Sequence, residues 1–520
     1  MINLNVKPLE RMSVSEKIGQ LVMGGFLTSE YDDDIKELVE KYKLGNIILF
    51  TRNYENPKQM KELCFKLHKN IVKICGTFPL ISIDQEGGTV TRMMNDVTFA
   101  PSAMSCGASS VDYDAALEAG RAIGRDMIKL GMNINLAPVL EINKGCTNYS
   151  MNVRSYGSNP RTISKHVASF KKGLSEYGVL STLKHFPGSG DTKQDSHLEL
   201  PVIETTIEEM HENSLYPFIK NIDADAVMTS HCLFKAYDKI PATLSKRCVN
   251  GLLREELGFK GIIFTDGLEM KAISDYYTIG EAGLMAINAG VDILLVCHEK
   301  SQIIEVIERL KQAYKNGELT DEVLDDHVRR ICEYKKKTLP YLEKYFNNDE
   351  CFVEDIEASN KMQEIVDKSI TLLKGEKPHI TKDTLIISPV ATVSSIVEDV
   401  FDNRDLTLSL KKYFDNTIYR YEPTQEFKEK IIEDGNKYEN IIVISYDPYK
   451  EKTQISFINE LIAKYHNKVY VITLKGPVED DLFIGLNNYM CMYEYTPNSI
   501  RSVVKYFCGK IPVVGKLPLE

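Results

Sequence analysis

Val179-Leu180-Ser181-Thr182-Leu183 runs directly into Lys184-His185-Phe186-Pro187-Gly188-Ser189-Gly190. An apolar stretch of strand length thus ends in a lysine and an imidazole, and a Gly-Ser-Gly loop follows. Further along the same loop, Asp195 and His197 fall two residues apart, ahead of Leu198-Glu199-Leu200-Pro201. A carboxylate beside an imidazole fixes its tautomer and raises its pKa, which makes a histidine a usable acid/base near neutral pH. A bare Asp-x-His is more often an ordinary polar loop. The density of Lys, His, Asp and Gly after a buried strand sets this one apart.

The same grammar recurs along the first part of the chain. Eight short apolar runs read as strands, at 21–26, 46–50, 80–83, 133–136, 180–183, 226–229, 261–265 and 293–296. Segments of helical spacing lie between them, for example 206–222 and 279–289. The runs are apolar throughout rather than alternating, as strands covered on both faces should be. Eight β/α units over about 300 residues predict an α/β fold built on a parallel (β/α)8 TIM barrel. Polar residues follow the runs: Arg52 after the second, Asp84 and Glu86 after the third, Glu141 and Arg154 after the fourth. Lys184 and His185 follow the fifth, His231 the sixth, Asp266 the seventh and His298 the eighth. In such a barrel these ends converge on one face, so together they predict one site.

Residues 301–346 read as helices, and Glu333-Tyr-Lys-Lys-Lys337 reads as a solvated helix face. Asn347-Asn348-Asp349-Glu350 marks a linker, with a helix at 358–368 and a strand at 370–373 beyond it. Apolar runs at 384–388, 441–445 and 469–474, with helical pieces between them, predict a smaller three-layer αβα sandwich. The expected division is a catalytic barrel at 1–345, a linker at 346–369 and a C-terminal domain at 370–520. That domain shows neither GxGxxG nor a Walker A loop, so nothing argues for a nucleotide.

At 520 residues the chain is too long for one core, and its 43% hydrophobic content is ordinary for a globular protein. A net charge of -11 without a long basic cluster argues against nucleic acid or an anionic membrane as partner. No apolar run approaches the roughly 18 residues that span a bilayer, and the N-terminal residues lack a secretory h-region. A cytoplasmic location is the expectation. The eleven cysteines are scattered without CxxC pairs, which suits buried reduced thiols better than disulfides or zinc. Neither a metal nor a cofactor is expected, and nothing indicates the oligomeric state.

Asp266 lies in Ile262-Ile263-Phe264-Thr265-Asp266-Gly267-Leu268-Glu269-Met270. A carboxylate at the mouth of an apolar strand is suited to attack an electrophilic carbon. Set across a pocket from His197, with Asp195 in support, it completes a nucleophile and an acid/base, the logic of double-displacement glycoside hydrolysis. Asp84, Arg92, Arg154, Lys184 and His185 would then supply the hydrogen bonds a sugar's hydroxyls need. Other roles stay open on these residues alone. Asp266 could cap a helix over 268–274, Glu86 or Glu269 could be the nucleophile instead, and Arg154 could form a structural ion pair.

The chain resembles the NagZ-type β-N-acetylglucosaminidases of glycoside hydrolase family 3. The resemblance rests on Asn46-Ile-Ile-Leu-Phe-Thr-Arg-Asn53, Ile83-Asp-Gln-Glu-Gly-Gly-Thr-Val-Thr-Arg92, Asn135-Leu-Ala-Pro-Val139 and Arg154-Ser-Tyr-Gly-Ser-Asn-Pro160. The central loop 184–201, Pro241-Ala-Thr-Leu-Ser245 and Phe264-Thr-Asp-Gly-Leu-Glu-Met-Lys-Ala-Ile273 complete it, in family order over roughly residues 15–300. It implies Asp266 as nucleophile and Asp195 with His197 as the acid/base dyad. Asp84, Arg92, Arg154, Lys184 and His185 fall at the positions that bind the terminal sugar. The implied activity is retaining, exo-acting removal of terminal GlcNAc from muropeptides of peptidoglycan or from chitooligosaccharides. The alternative is phosphorolysis, since an imidazole acid/base does not repel an incoming phosphate. Two positions depart from the family pattern: Ser189 stands where the loop usually has His, and Glu141 where Asp is common.

Overall fold

All eight apolar runs form strands of a closed parallel barrel. They are β1 (Val22–Gly24), β2 (Asn46–Leu49), β3 (Ile81–Ile83), β4 (Ile134–Asn135), β5 (Leu180–Phe186), β6 (Ala226–Thr229), β7 (Ile262–Gly267) and β8 (Ile293–Val296). The computed structural model describes residues 1–109, 114–145, 151–188, 196, 198–348, 350–389, 405–448, 452–477 and 482–519. Each strand pairs with the next, and β8 closes on β1 with Leu294 opposite Val22 and Val296 opposite Gly24. Several strands are only two to four residues long, so side chains complete the ladder where the backbone diverges. Buried Asn46 accepts from Leu80 N (3.1 Å) and donates to Gln20 O (2.8 Å). Asn133 accepts from Ile81 N, and Asn135 both accepts from Gln85 N and donates to Gln85 O. Buried amides with both ends bonded cost little and pin the register.

Helices cover the barrel as the periodicity indicates. Ile279–Ala289 is capped by the Thr278 hydroxyl and ends at Gly290, φ 112°, the left-handed position that favours glycine. The region 206–222 is two short helices, Ile207–Glu212 and Tyr216–Lys220, rather than one. No helix among the described residues is long and apolar enough to cross a membrane.

The second unit is a six-stranded sheet. Its strands are β9 (Thr371–Lys374), β10 (Thr384–Ser388), β11 (Thr417–Arg420), β12 (Asn440–Ser445), β13 (Val469–Thr473) and β14 (Asn488–Cys491), in the order β9-β14-β13-β12-β10-β11. The pairings are parallel except β9 with β14. Alternate residues feed opposite faces. Ile386, Ile442, Ile444 and Ile472 join one core, while Leu385, Ile387, Ile441 and Val443 join the other. Helices on both faces make the three layers the sequence predicts. The segment expected as a linker carries a 14-residue helix, Ile356–Ser369, capped by Asp355.

One charged run reads differently in three dimensions. Lys335, in the stretch taken for a solvated face, is fully buried inside the helix Asp321–Tyr341. Its Nζ donates to Gln20 Oε1 (2.6 Å) and Gly45 O (3.2 Å). Burial holds its pKa down, at about 7.

Candidate active site

The carboxyl ends of the barrel strands bring the expected polar residues together. Strand β5 continues three residues past the apolar run, so Lys184 and His185 lie within it and are buried. The Lys184 ammonium meets two carboxylates from the segment after β3: Asp84 Oδ1 at 2.8 Å and Glu86 Oε1 at 2.6 Å. Arg154 closes on Glu86 in a two-pronged pair, Nε to Oε2 and Nη2 to Oε1, both 2.8 Å. Arg92 reaches Asp84 at 3.6 Å. Burial alone would push the Glu86 carboxyl up; the Arg154 and Lys184 charges outweigh it and hold Glu86 far below the ordinary carboxylate range. Burial likewise opposes the charge on Arg154, and Glu86 outweighs it, so the guanidinium stays protonated.

The turn that delivers Glu86 depends on two glycines. Residues 85–87 and 90–91 form a small antiparallel pair, with Gly87 at φ 97° and Gly88 at φ 60°. A Cβ on Gly87 would lie 2.3 Å from Pro101 O, and one on Gly88 would lie 2.5 Å from Ser102 Cβ. Positive φ and close approach both exclude a side chain there.

Across the mouth, Asp266 is the penultimate residue of β7. Its Oδ1 accepts from Gly267 N at 2.8 Å, and Oδ2 faces His185 Nε2 at 3.9 Å. On its other side the His185 ring lies with Nδ1 3.4 Å from Glu141 Oε1. The short helix after β7 starts at Lys271 with Met270 as its N-cap, so Asp266 does not cap it. His231 Nε2 donates to Gly267 O (2.9 Å), and its Nδ1 is 2.9 Å from Thr243 Oγ1. That imidazole lies behind the Asp266–Gly267 backbone.

The two competing carboxylates are otherwise engaged. Glu86 is consumed by Arg154 and Lys184. Glu269 Oε1 accepts from Cys297 N at 2.7 Å, and burial raises its pKa. Side-chain exposure ranks the five carboxylates in the same direction: Glu141 2%, Glu86 7%, Glu269 14%, Asp84 16% and Asp266 24%. Arg52 and His298 form the neighbouring rim. Arg52 donates to Phe26 O and Cys297 O, lies 3.1 Å from His298 Nδ1, and stacks over Phe50 at 4.3 Å.

Asp195 and His197 lie outside the described residues. Ser196 between them is described: its carbonyl accepts from Ala272 N at 3.3 Å, next to the segment that follows Asp266. Sequence reasoning offered Glu86 as an alternative nucleophile, noted Glu141 as a strand-end acid that departs from the family pattern, and took His231 as one more polar strand end. Their ties to Arg154, His185 and Gly267 are long-range pairings that local pattern does not carry.

Residues 13–334 match the Glycosyl hydrolase family 3 N terminal domain, more than half of the chain. The chain belongs to glycosyl hydrolase family 3. A β-hexosaminidase of Haemophilus influenzae is 35% identical over 288 residues, covering 54% of the chain and 80% of that protein. β-Hexosaminidase A of Pseudoalteromonas piscicida is 34% identical over 329 residues, covering 58% of the chain but only 55% of the relative's own length. A solved family 3 β-N-acetylglucosaminidase from Paenibacillus sp. str. FPU-7 superposes with TM-score 0.90 at 33% identity, over 98% of this chain and 99% of that one. The barrel and the second domain of this family 3 chain are therefore both shared with that structure.

Proposed function

We propose that the chain is a retaining, exo-acting β-N-acetylglucosaminidase that removes terminal GlcNAc through a covalent glycosyl–Asp266 intermediate. The observation that carries this reading is the Asp266 carboxylate, the most exposed of the five at the strand mouths and 3.9 Å from His185, on the same barrel face as the ion-pair network of Lys184, Asp84, Glu86 and Arg154. Relatives named β-hexosaminidase and a solved family 3 β-N-acetylglucosaminidase support the amino-sugar substrate. In the first step Asp266 attacks the anomeric carbon while the bond to the leaving oxygen breaks and His197 protonates that oxygen. In the second, His197 takes a proton from water, the water oxygen attacks the same carbon, and Asp266 leaves as a carboxylate. Asp195 orients the imidazole. Asp84, Arg92, Arg154, Lys184 and His185 hold the terminal sugar, with the Arg154 guanidinium kept charged by the buried Glu86 carboxylate.

We assign residues 1–345 to the catalytic domain, 346–369 to a connector and 370–520 to the second domain. Muropeptides or chitooligosaccharides are the proposed substrates. The free cysteines among the described residues are mostly buried, which suits a reducing compartment, and we place the enzyme in the cytoplasm. The test is Asp266→Ala against an aryl N-acetylglucosaminide, with and without phosphate. The expected loss in kcat is about 10³-fold or more, because the covalent route disappears. Unimpaired turnover refutes the assignment. Formation of GlcNAc 1-phosphate by the unmodified enzyme would turn the reading to phosphorolysis.

A further inference from the structure

The second domain touches the barrel behind the loops that hold the charged network, and one buried acid makes the connection. Glu494, three residues beyond β14, is 0% exposed. Its Oε2 accepts from Ser102 N (2.7 Å) and Ser105 Oγ (2.8 Å), and its Oε1 from Thr496 Oγ1 (2.6 Å). Ser102 Oγ also donates to Tyr493 O (3.2 Å), and Asn498 Nδ2 donates to Phe99 O (2.9 Å). The barrel segment 99–105 is thus held from the second domain at Phe99, Ser102 and Ser105.

That segment is the wall against which the Glu86 turn is folded. Gly88 N donates to Ala100 O at 2.9 Å, and Gly87 and Gly88 approach Pro101 and Ser102 too closely for any Cβ. On the other flank, Gly476 of the second domain lies against the Asn152 side chain, two residues before Arg154, and Ser158 N donates to Pro518 O. An apolar cluster of Met104, Ala108 and Val153 with Cys491 and Tyr493 fills the space between. Of the two barrel segments braced from outside, one backs the turn that carries Glu86 and the other carries Arg154, partners in one buried pair.

We propose that Glu494 is a positioning residue: by fixing Ser102 and Ser105 it sets the Gly87–Gly88 turn, and through it the Asp84 and Glu86 carboxylates that hold Lys184 and Arg154 against the sugar. A buried carboxylate that accepts three hydrogen bonds is satisfied and directional, so its loss leaves Ser102 N–H unpaired in the interior. A displacement near 1 Å of such groups is enough to change turnover by about 100-fold. The inference rests on the proposed sugar site, and its test has an arm independent of substrate.

Hydrogen exchange is measured on the full chain and on Glu494→Ala, Glu494→Asp and Glu494→Gln, together with kinetics on an aryl N-acetylglucosaminide. In Glu494→Ala, backbone exchange within residues 84–92 is expected to rise about tenfold or more while the strands on the far side of the barrel keep their protection. KM is expected to rise about tenfold or more. Glu494→Gln, which can still accept from Ser102 and Ser105, restores both to within about threefold. Glu494→Asp, the milder truncation, should fall between them and stands in if the alanine variant does not fold. Unchanged exchange at 84–92 in a folded alanine or aspartate variant overturns the proposal, as does a glutamine variant no better than alanine. If the unmodified enzyme fails to turn over the substrate, the sugar-site reading fails, while the exchange arm still decides whether Glu494 fixes the turn.

Discussion

Asp266 depends on its backbone as much as on its own carboxyl. The Gly267 amide holds Oδ1, and the Gly267 carbonyl is in turn held by His231, which also contacts Thr243. Replacing His231 with alanine removes one of the two donors to the Gly267 carbonyl, leaving only Met270 N at 3.1 Å, and lets the end of β7 shift. The expected result is a fall in kcat of about 10- to 100-fold with KM changed less than about threefold, measured on an aryl N-acetylglucosaminide. A fall confined to KM would mean that His231 serves substrate binding instead. The residue types around Asp266 were legible in the sequence, because each follows an apolar run. Which carboxylate is the most exposed was not. Glu86 and Asp266 look equivalent in a linear string, and only the convergence of Arg154, from the segment after β4, with Lys184 of β5 shows that Glu86 is already committed.

The turn between residues 85 and 91 is the least replaceable local element of the site. Gly88→Ala would place a Cβ 2.5 Å from Ser102 Cβ at a positive φ, which combines a steric clash with a strained backbone. The expectation is a stability loss of about 2–3 kcal/mol, read as a lower thermal midpoint, and activity reduced at least in proportion. A variant that melts with the native protein would show that segment 99–105 yields freely. Element identity was readable along most of the barrel because fully apolar runs have one interpretation there. Lys184 and His185 were legible as the end of a strand, and β5 runs past the apolar stretch to include them and Phe186. Strands β11 and β14 were passed over; Thr417–Arg420 is polar at both ends, and Asn488–Cys491 pairs only by long-range register.

Charge burial sets how the whole molecule answers to pH. Lys335 titrates near pH 7 when folded and near 10.4 when unfolded. Between those values the unfolded chain binds the extra proton, so stability rises with pH across that window and is flat in this respect below it. The increment is at most about 1.4 kcal/mol per pH unit from this group. Lys335→Met should therefore lack that rise: its stability relative to the native protein is greatest below about pH 7 and the difference shrinks toward pH 10. Denaturant titrations of both proteins at pH 6.5, 8 and 9.5 check this, and parallel pH slopes would contradict it. The run around Lys335 read as solvent-facing because its neighbours are charged; burial came from packing against Gln20 and Gly45, some 300 positions away. Contacts between the domains, Glu494 to Ser102 among them, were equally invisible to any local pattern.

The central claim is that the Asp266 carboxylate forms a bond to the sugar. The most direct measurement incubates the enzyme with a fluorinated GlcNAc donor that forms the intermediate faster than water releases it, followed by intact mass and peptide mapping. One sugar added per chain, mapped to Asp266 and absent from Asp266→Ala, is the predicted result. A label on Glu86 or Glu269, or rapid turnover of this donor by the alanine variant, would contradict it.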